Sequence, residues 1–278
     1  MIVVTGATGN VGRTLVRALV EAGEQVTAVS RGVSARDLPA GARHVRADLT
    51  EPESLEPAFD GATALFLLTS GDFTTNGGDG TVLGDVLDLA RAGGVERVVQ
   101  LSSQGVGTGR HSPELEEAVT RSGLAWTVLR PGGFASNSYA WAGTIREQRL
   151  AAAPFADVAL PVIDPDDIAE VAAVTLRGAG HAGRTYVLTG PAAVTPRQQV
   201  AAIGDALGEP VRFVGLSRAE AKAAMTAFMP EVIVDTTLDI LGTPTADERR
   251  VSPDVDRVLG RPARSFADWA ARNAAAFK

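Results

Sequence analysis

The strongest constraint on the fold is a run of eight residues close to the start, Thr5-Gly6-Ala7-Thr8-Gly9-Asn10-Val11-Gly12. The β-branched run Ile2–Thr5 leads into it and reads as a buried strand. Beyond it Val11, Leu15, Ala18, Leu19 and Ala22 recur at helical spacing, and Gly23 supplies a stop. A second apolar run, Gln25–Ser30, comes next. Strand, glycine-rich turn and helix in this order bring backbone amides without Cβ atoms up to a pyrophosphate at a helix N-terminus. Glycine triplets are common, but this one has both the strand and the helix that a dinucleotide-binding turn requires. Gly12 adds close packing of helix on strand.

The same alternation continues. Strands are expected at His44–Ala47, Thr63–Leu68, Val98–Leu101 and Trp126–Leu129, and helical patterns at Pro52–Phe59, Gly80–Ala92 and Pro113–Arg121. Continuous apolar strands alternating with helices predict an α/β fold, a doubly wound parallel sheet of the Rossmann kind. The second half is less regular. Helices are expected at Ile168–Leu176, Arg197–Leu207, Arg218–Phe228 and Phe266–Phe277, the last two opened by Ser217-x-x-Glu220 and Ser265-x-x-Asp268. Residues 1–153 read as the nucleotide-binding core and 154–278 as a smaller substrate-shaping region, with 185–189 a strand that can return to the sheet. No low-complexity linker separates them, so one compact unit is expected.

Composition excludes much of the remaining chemistry. There is no cysteine among the 278 residues, so disulfides, thiolate nucleophiles and cysteine-held metals are out. His44, His111 and His181 are the three histidines and lie far apart in sequence, so no metal is expected. Asp164, Asp166 and Asp167 read as a helix cap and first-turn acids, and Ser252-Pro253 as a cap with proline at the first helical position. A net charge of −7 argues against nucleic acid. The longest dense apolar run, Ala64–Leu68, is far below the about 20 residues that span a bilayer. With no signal-peptide pattern at the start, a cytoplasmic protein is expected, monomeric or homodimeric.

The end of the second strand separates the two nicotinamide dinucleotides. An acidic residue there would bond the 2′-hydroxyl of NAD and repel a 2′-phosphate. This chain has Ser30-Arg31, with Arg36 a turn further on. A guanidinium fork suits phosphate oxygens, which points to NADP(H). Of 26 basic residues only Lys222 and Lys278 are lysine, and the only tyrosines are Tyr139 and Tyr186. Neither tyrosine has a lysine four residues later, so the Tyr-x-x-x-Lys pair that protonates an alkoxide in ordinary short-chain dehydrogenases does not occur.

The chain resembles the NmrA-like family of atypical short-chain dehydrogenases, and within it the bacterial NADPH:quinone-reductase-type members. The resemblance rests on the glycine turn, whose GxxGxxG spacing short-chain dehydrogenases use, on Arg31, Ala47-Asp48-Leu49, Leu67-Leu68-Thr69-Ser70 and Leu101-Ser102-Ser103. Ser122 to Pro131, Ile163 to Ala169 and Gly260-Arg261-Pro262 with Phe266 and Trp269 carry it further. It implies that Gly6, Ala7, Thr8, Gly9, Asn10 and Val11 hold the pyrophosphate and Arg31 the 2′-phosphate. It likewise implies Asp48 and Leu49 at the adenine, Leu68, Thr69 and Ser70 at the ribose, and Ser102, Ser103, Phe134 and Asn137 toward the nicotinamide.

Relatives of this type often place a histidine four residues before a glutamate ahead of Ser-Gly-Leu; here Ser112 has that spacing from Glu116 and His111 is one residue off. Ser103, His111 and Tyr139 are the candidate proton donors. The activity implied is reduction by NADPH of a quinone or a related conjugated carbonyl or imine, so the partner is an aromatic or quinonoid small molecule. The alternatives are a non-catalytic NADP(H) sensor acting through a protein partner, and a tailoring reductase of secondary metabolism. Met225, Phe228, Met229, Val232 and Ile233 read either as an adaptable apolar pocket lining or as core.

Overall fold

The computed structural model describes residues 1–32, 38–69 and 71–278. Ile2–Thr5 forms β1 with all four side chains buried, as a strand covered on both faces requires. It lies between β2 (Val26–Ser30) and β4 (Ala64–Leu68), parallel to both, with Val3 opposite Thr27 and Leu65. Outward from β2 lies β3 (Ala42–Arg46), and outward from β4 lie β5 (Arg97–Leu101) and β6 (Ala125–Pro131), again parallel. β8 (Arg184–Leu188) joins beside β6, giving the order β3-β2-β1-β4-β5-β6-β8 among the described residues. Strand order therefore reverses between β1 and β4, where open α/β sheets keep their ligand crevice.

Both faces are covered. The helix α1 (Asn10–Glu21) packs with the helix Pro165–Arg177, which begins three residues earlier than the periodicity suggests. On the other face Val3, Val29, Leu65, Leu67 and Val98 pack with Phe59, Leu83, Val86 and Ala90. The helix Gly80–Ala92 starts where Asp79 Oδ1 accepts from the amides of Thr81 and Val82, at 2.8 and 2.9 Å.

Contacts divide the chain into two units at boundaries other than 153/154. The first is 1–106, 111–131 and 165–187; the second is 107–110, 132–164 and 188–278. The sequence pattern could not show this, because the chain crosses between the units several times and each unit is assembled from segments far apart in sequence. The second unit has its own parallel pair, β7 (Leu150–Pro154) with β9 (Arg212–Leu216). Its core gathers Ile145, Ala151, Val200, Ile203, Phe266, Trp269 and Phe277. Ser217 with Glu220 and Ser265 with Asp268 both form capping boxes, as does Thr195 with Gln198.

The expected helix over Phe266–Phe277 tightens to a 3₁₀ turn after Asn273, and the one from Arg218 ends at Met225. Pro253 occupies the cap position before the helix Asp254–Leu259 instead of its first turn. The placement of Phe228, Val232 and Ile233 in a core is corrected: the first two are each 73% exposed and Ile233 is 50% exposed. Glu231–Gly242 is helical, and its period turns Val232 and Ile233 outward while Val234 and Leu238 pack against Ala221. No helix among the described residues is long and apolar enough to cross a membrane.

Candidate functional site: a dinucleotide cradle

The buried Thr5 ends β1 and fastens it across the switch point. Its Oγ1 accepts from the Leu68 amide at 2.8 Å and donates to the Phe66 carbonyl at 3.2 Å. The chain then turns at Gly6 with φ +61°, a left-handed conformation that favours glycine. The Gly6 carbonyl accepts from the Gly9 amide at 3.0 Å, closing the turn. Gly12 is required by the protein's own packing, since a Cβ there would sit 2.1 Å from the Gly6 oxygen and 2.9 Å from the Ala7 Cα.

Gly9 is different. A Cβ there would meet only the Gly6 oxygen, at an ordinary 3.4 Å, so the fold itself leaves it room. Gly9 is the N-cap of α1, which has neither a capping side chain nor an acidic residue in its first turn. An uncapped helix start carries the positive end of the macrodipole, and here it opens on a cleft of about 250 Å³. Thr5, Gly6, Thr8, Gly9, Val29, Ser30, Arg31, Ala47, Asp48, Leu49, Leu68 and Phe73 line that cleft. Room for a Cβ that the sequence leaves unused, beneath an uncapped helix N-terminus, fits the pyrophosphate of a dinucleotide.

The far end of the cleft is built from β2 and β3. Arg31 is exposed and directly follows β2, and its carbonyl accepts from Arg46 Nε at 2.9 Å. Asp48 turns its Oδ1 onto the amide and hydroxyl of Thr50, at 3.0 and 2.9 Å, which anchors the carboxylate within its own turn. Leu49 and Leu68 supply apolar walls, and Thr69 follows β4 directly. Ala7, Asn10 and Val11 belong to the turn and the first turn of α1. Ser70 and Arg36 lie outside the described residues.

A second group sits past β5 in the same unit. Ser102 donates to Glu116 Oε1, and Arg130 grips both oxygens of the same carboxylate through Nε and Nη2. Glu116 is 7% exposed, and its hydrogen bonds raise the Arg130 pKa further against the opposing effect of burial. Ser103 Oγ accepts from the Gly105 amide at 3.0 Å and pairs with His111 Nδ1 at 3.1 Å. Gly105 makes this pairing feasible, since a Cβ there would lie 2.5 Å from the His111 ring. Two of the three candidate donors, Ser103 and His111, are thus brought together. The third, Tyr139, is in the second unit, stacked with Phe277 and tilted against Trp269, its hydroxyl donating to Asn273 Oδ1. Phe134 pairs with Ile163 there, and the Asn137 amide donates to the Phe134 carbonyl.

The Glu116–Arg130 pair and the contact of Ser30 Oγ with His44 Nε2, at 2.9 Å between β2 and β3, escape sequence reasoning, since both depend on how separate elements pack. A glutamate on the buried side of a short amphipathic helix is the available signal for the first. Asp164 is paired with Arg272, and Asp166 accepts from Thr14 at 2.9 Å, so these acids are engaged with protein groups. Among the described residues no three histidine, aspartate or glutamate side chains cluster as a metal site.

A glycine turn feeding an uncapped helix at the reversal of a parallel sheet defines a Rossmann-type dinucleotide-binding protein. The chain belongs to the NAD(P)H-binding family, whose sequence profile matches residues 6–177. It is 36% identical to a (4-alkanoyl-5-oxo-2,5-dihydrofuran-3-yl)methyl phosphate reductase of Streptomyces griseus, over 100% of this chain and 99% of the relative. It is 35% identical, with the same coverage, to an NAD(P)H azoreductase of Xenophilus azovorans. Among solved structures it resembles an NADPH-dependent quinone oxidoreductase from Escherichia coli complexed with NADPH, at 26% identity and TM-score 0.81, covering 98% of this chain and 99% of that one. The negative transcriptional regulator NmrA shares the fold at 18% identity and TM-score 0.73, over 97% of this chain and 94% of that one.

Proposed function

We propose that the protein is an NADPH-dependent reductase of electron-poor conjugated acceptors: quinones, azo compounds and doubly activated enones. The observation that carries this reading is a cleft lined by the glycine turn, Ser30 and Arg31 in a chain without a Tyr-x-x-x-Lys pair. The names of the relatives support it, since they share a chemistry. A quinone, an azo bond and a ring alkene flanked by two carbonyls each accept hydride to give a delocalised anion. The hydroquinone and 1,3-dicarbonyl anions are far weaker bases than an alkoxide and can be protonated by water or a weak donor. Positioning and exclusion of water then do most of the catalysis.

NADPH, when bound, supplies the hydride. The turn Gly6–Val11 and the α1 N-terminus hold the pyrophosphate, and Arg31 with Ser30 meets the 2′-phosphate. Asp48, Leu49 and Leu68 line the adenosine end. Ser102 is held by Glu116, itself gripped by Arg130, which keeps the end of β5 in one geometry. Ser103 Oγ, backed by His111 Nδ1, is the weak donor this reading assigns. A screen of NADPH absorbance against menadione, an azo dye, an acyl butenolide and a saturated ketone tests the proposal. Consumption with the conjugated acceptors supports it, and consumption with none of them removes it.

A further inference from the structure

One contact in the cleft wall has no role in the cradle described so far. Ser30 lines the cleft at the end of β2, is 9% exposed, and has its Oγ 2.9 Å from Nε2 of His44. The register places Ala28 opposite His44 and Ser30 opposite Arg46, so these side chains share one face of the β2–β3 edge. His44 and Arg46 both reach across to the end of β2. Arg46 takes the Arg31 carbonyl and His44 takes the Ser30 hydroxyl.

A serine hydroxyl has a single proton, and its partner decides where that proton points. If Nε2 accepts, the proton is spent on the ring and Ser30 shows the cleft only lone pairs, which suits a ribose 2′-hydroxyl. If Nε2 carries the hydrogen, Ser30 accepts from the ring and its own proton is released toward the cleft. A 2′-phosphate presents acceptor oxygens to such a donor and selects this arrangement. The carboxylate that lines the same cleft, Asp48, has its Oδ1 anchored on Thr50.

We propose that His44 is a specificity-determining positioning residue: through Nε2–H it turns the Ser30 hydroxyl into a donor for the 2′-phosphate of NADPH. This rests on the assignment of that phosphate to Ser30 and Arg31. His44 adds no contact of its own to the dinucleotide; it acts through Ser30.

The test is equilibrium titration of the full chain with NADPH, NADH and 5′-ADP, which lacks the 2′-phosphate. His44→Leu leaves the Ser30 hydroxyl with its proton but without the partner that orients it, and is expected to weaken NADPH about three- to fivefold, with NADH and 5′-ADP changed less than about twofold. His44→Gln, whose amide can donate from a similar reach, restores most of the loss. In a Ser30→Ala background His44→Leu adds nothing further. His44→Thr, suited to an edge strand, gives the same reading should leucine impair folding. Equal weakening of all three ligands, an unchanged NADPH affinity, or additive losses with Ser30→Ala each overturn the inference. Arg31→Ala separates this from the underlying assignment. If the wild-type protein prefers NADPH and Arg31→Ala abolishes that preference while His44→Leu does not, only the role of His44 is lost. If the wild type shows no preference, the NADPH reading itself falls.

Discussion

Gly9 and Gly12 sit three residues apart in one turn, yet alanine at each should fail in a different way. At Gly12 the new methyl would lie 2.1 Å from the Gly6 oxygen and 2.8 Å from the Gly6 carbon. Reaching even 3.0 Å from that oxygen means separating α1 from the turn by about 0.9 Å, and the obstacle is backbone that no rotamer change can relieve. Overpacking of this kind costs roughly 1–3 kcal/mol. Gly12→Ala should therefore lower the stability of the free protein by about 2 kcal/mol or more and weaken cofactor binding as well.

At Gly9 the methyl meets only the Gly6 oxygen at 3.4 Å, and its φ of −78° suits any residue. Gly9→Ala should leave the free protein within about 0.5 kcal/mol of wild type. Its methyl instead takes the space in front of the α1 N-terminus, so the same roughly 1–3 kcal/mol emerges in binding, about 5- to 150-fold in Kd. Urea unfolding without ligand and NADPH titration by intrinsic fluorescence read the two effects separately. A Gly9→Ala protein that binds NADPH like wild type would show that the pyrophosphate does not sit on this turn.

Arg31→Ala should weaken NADPH roughly tenfold or more and leave NADH nearly unchanged, by the same titration. Glu116→Ala strips the bidentate partner from Arg130 and the acceptor from Ser102, and should lower stability by about 2–3 kcal/mol in urea unfolding; a loss under about 0.5 kcal/mol would contradict its placement. Burial, and secondarily Arg97, hold His181 below the usual histidine value. The unfolded chain thus takes up that proton first, and stability should fall as pH drops through about 6.5. His181→Gln should shrink the difference in Tm between about pH 7.5 and pH 5.5, and an undiminished difference would rule this group out as the cause. Ser103→Ala should cost less than about tenfold in kcat with a quinone, below the usual worth of an obligatory general acid.

The first unit is largely legible in the sequence because its signals are local. Buried parallel strands leave unbroken runs such as Ala64–Leu68, and the glycine turn states its own geometry in eight residues. The third strand begins two residues before its apolar pattern does, since Ala-Arg-His-Val-Arg is only half-buried at the sheet edge and carries little apolar signal. β7 is illegible for another reason. Leu150-Ala-Ala-Ala-Pro154 has helical propensity, and only the pairing of Ala151 with Phe213 and its neighbours holds it extended. The helix Glu231–Gly242 begins with Val232 and Ile233, β-branched residues that argue weakly for helix.

At the site, Arg31 is readable because the end of a buried strand fixes where the next residue stands. Glu116 with Arg130, and Ser30 with His44, are not, because each contact joins separate elements through their packing. The exposed Phe228 and Val232 show the converse limit, since hydrophobicity alone does not say which side chains face the core.

On the proposed function, the cradle serves reduction of acceptors whose product anion needs no strong acid. The most direct measurement compares kcat/KM with NADPH for 1,4-benzoquinone and for cyclohexanone, rings of equal size that differ in the basicity of the reduced product. Ready turnover of the quinone with no measurable turnover of the ketone is the result predicted. Comparable rates for the two would mean that the protein holds an efficient proton donor, and the proposed function would fall.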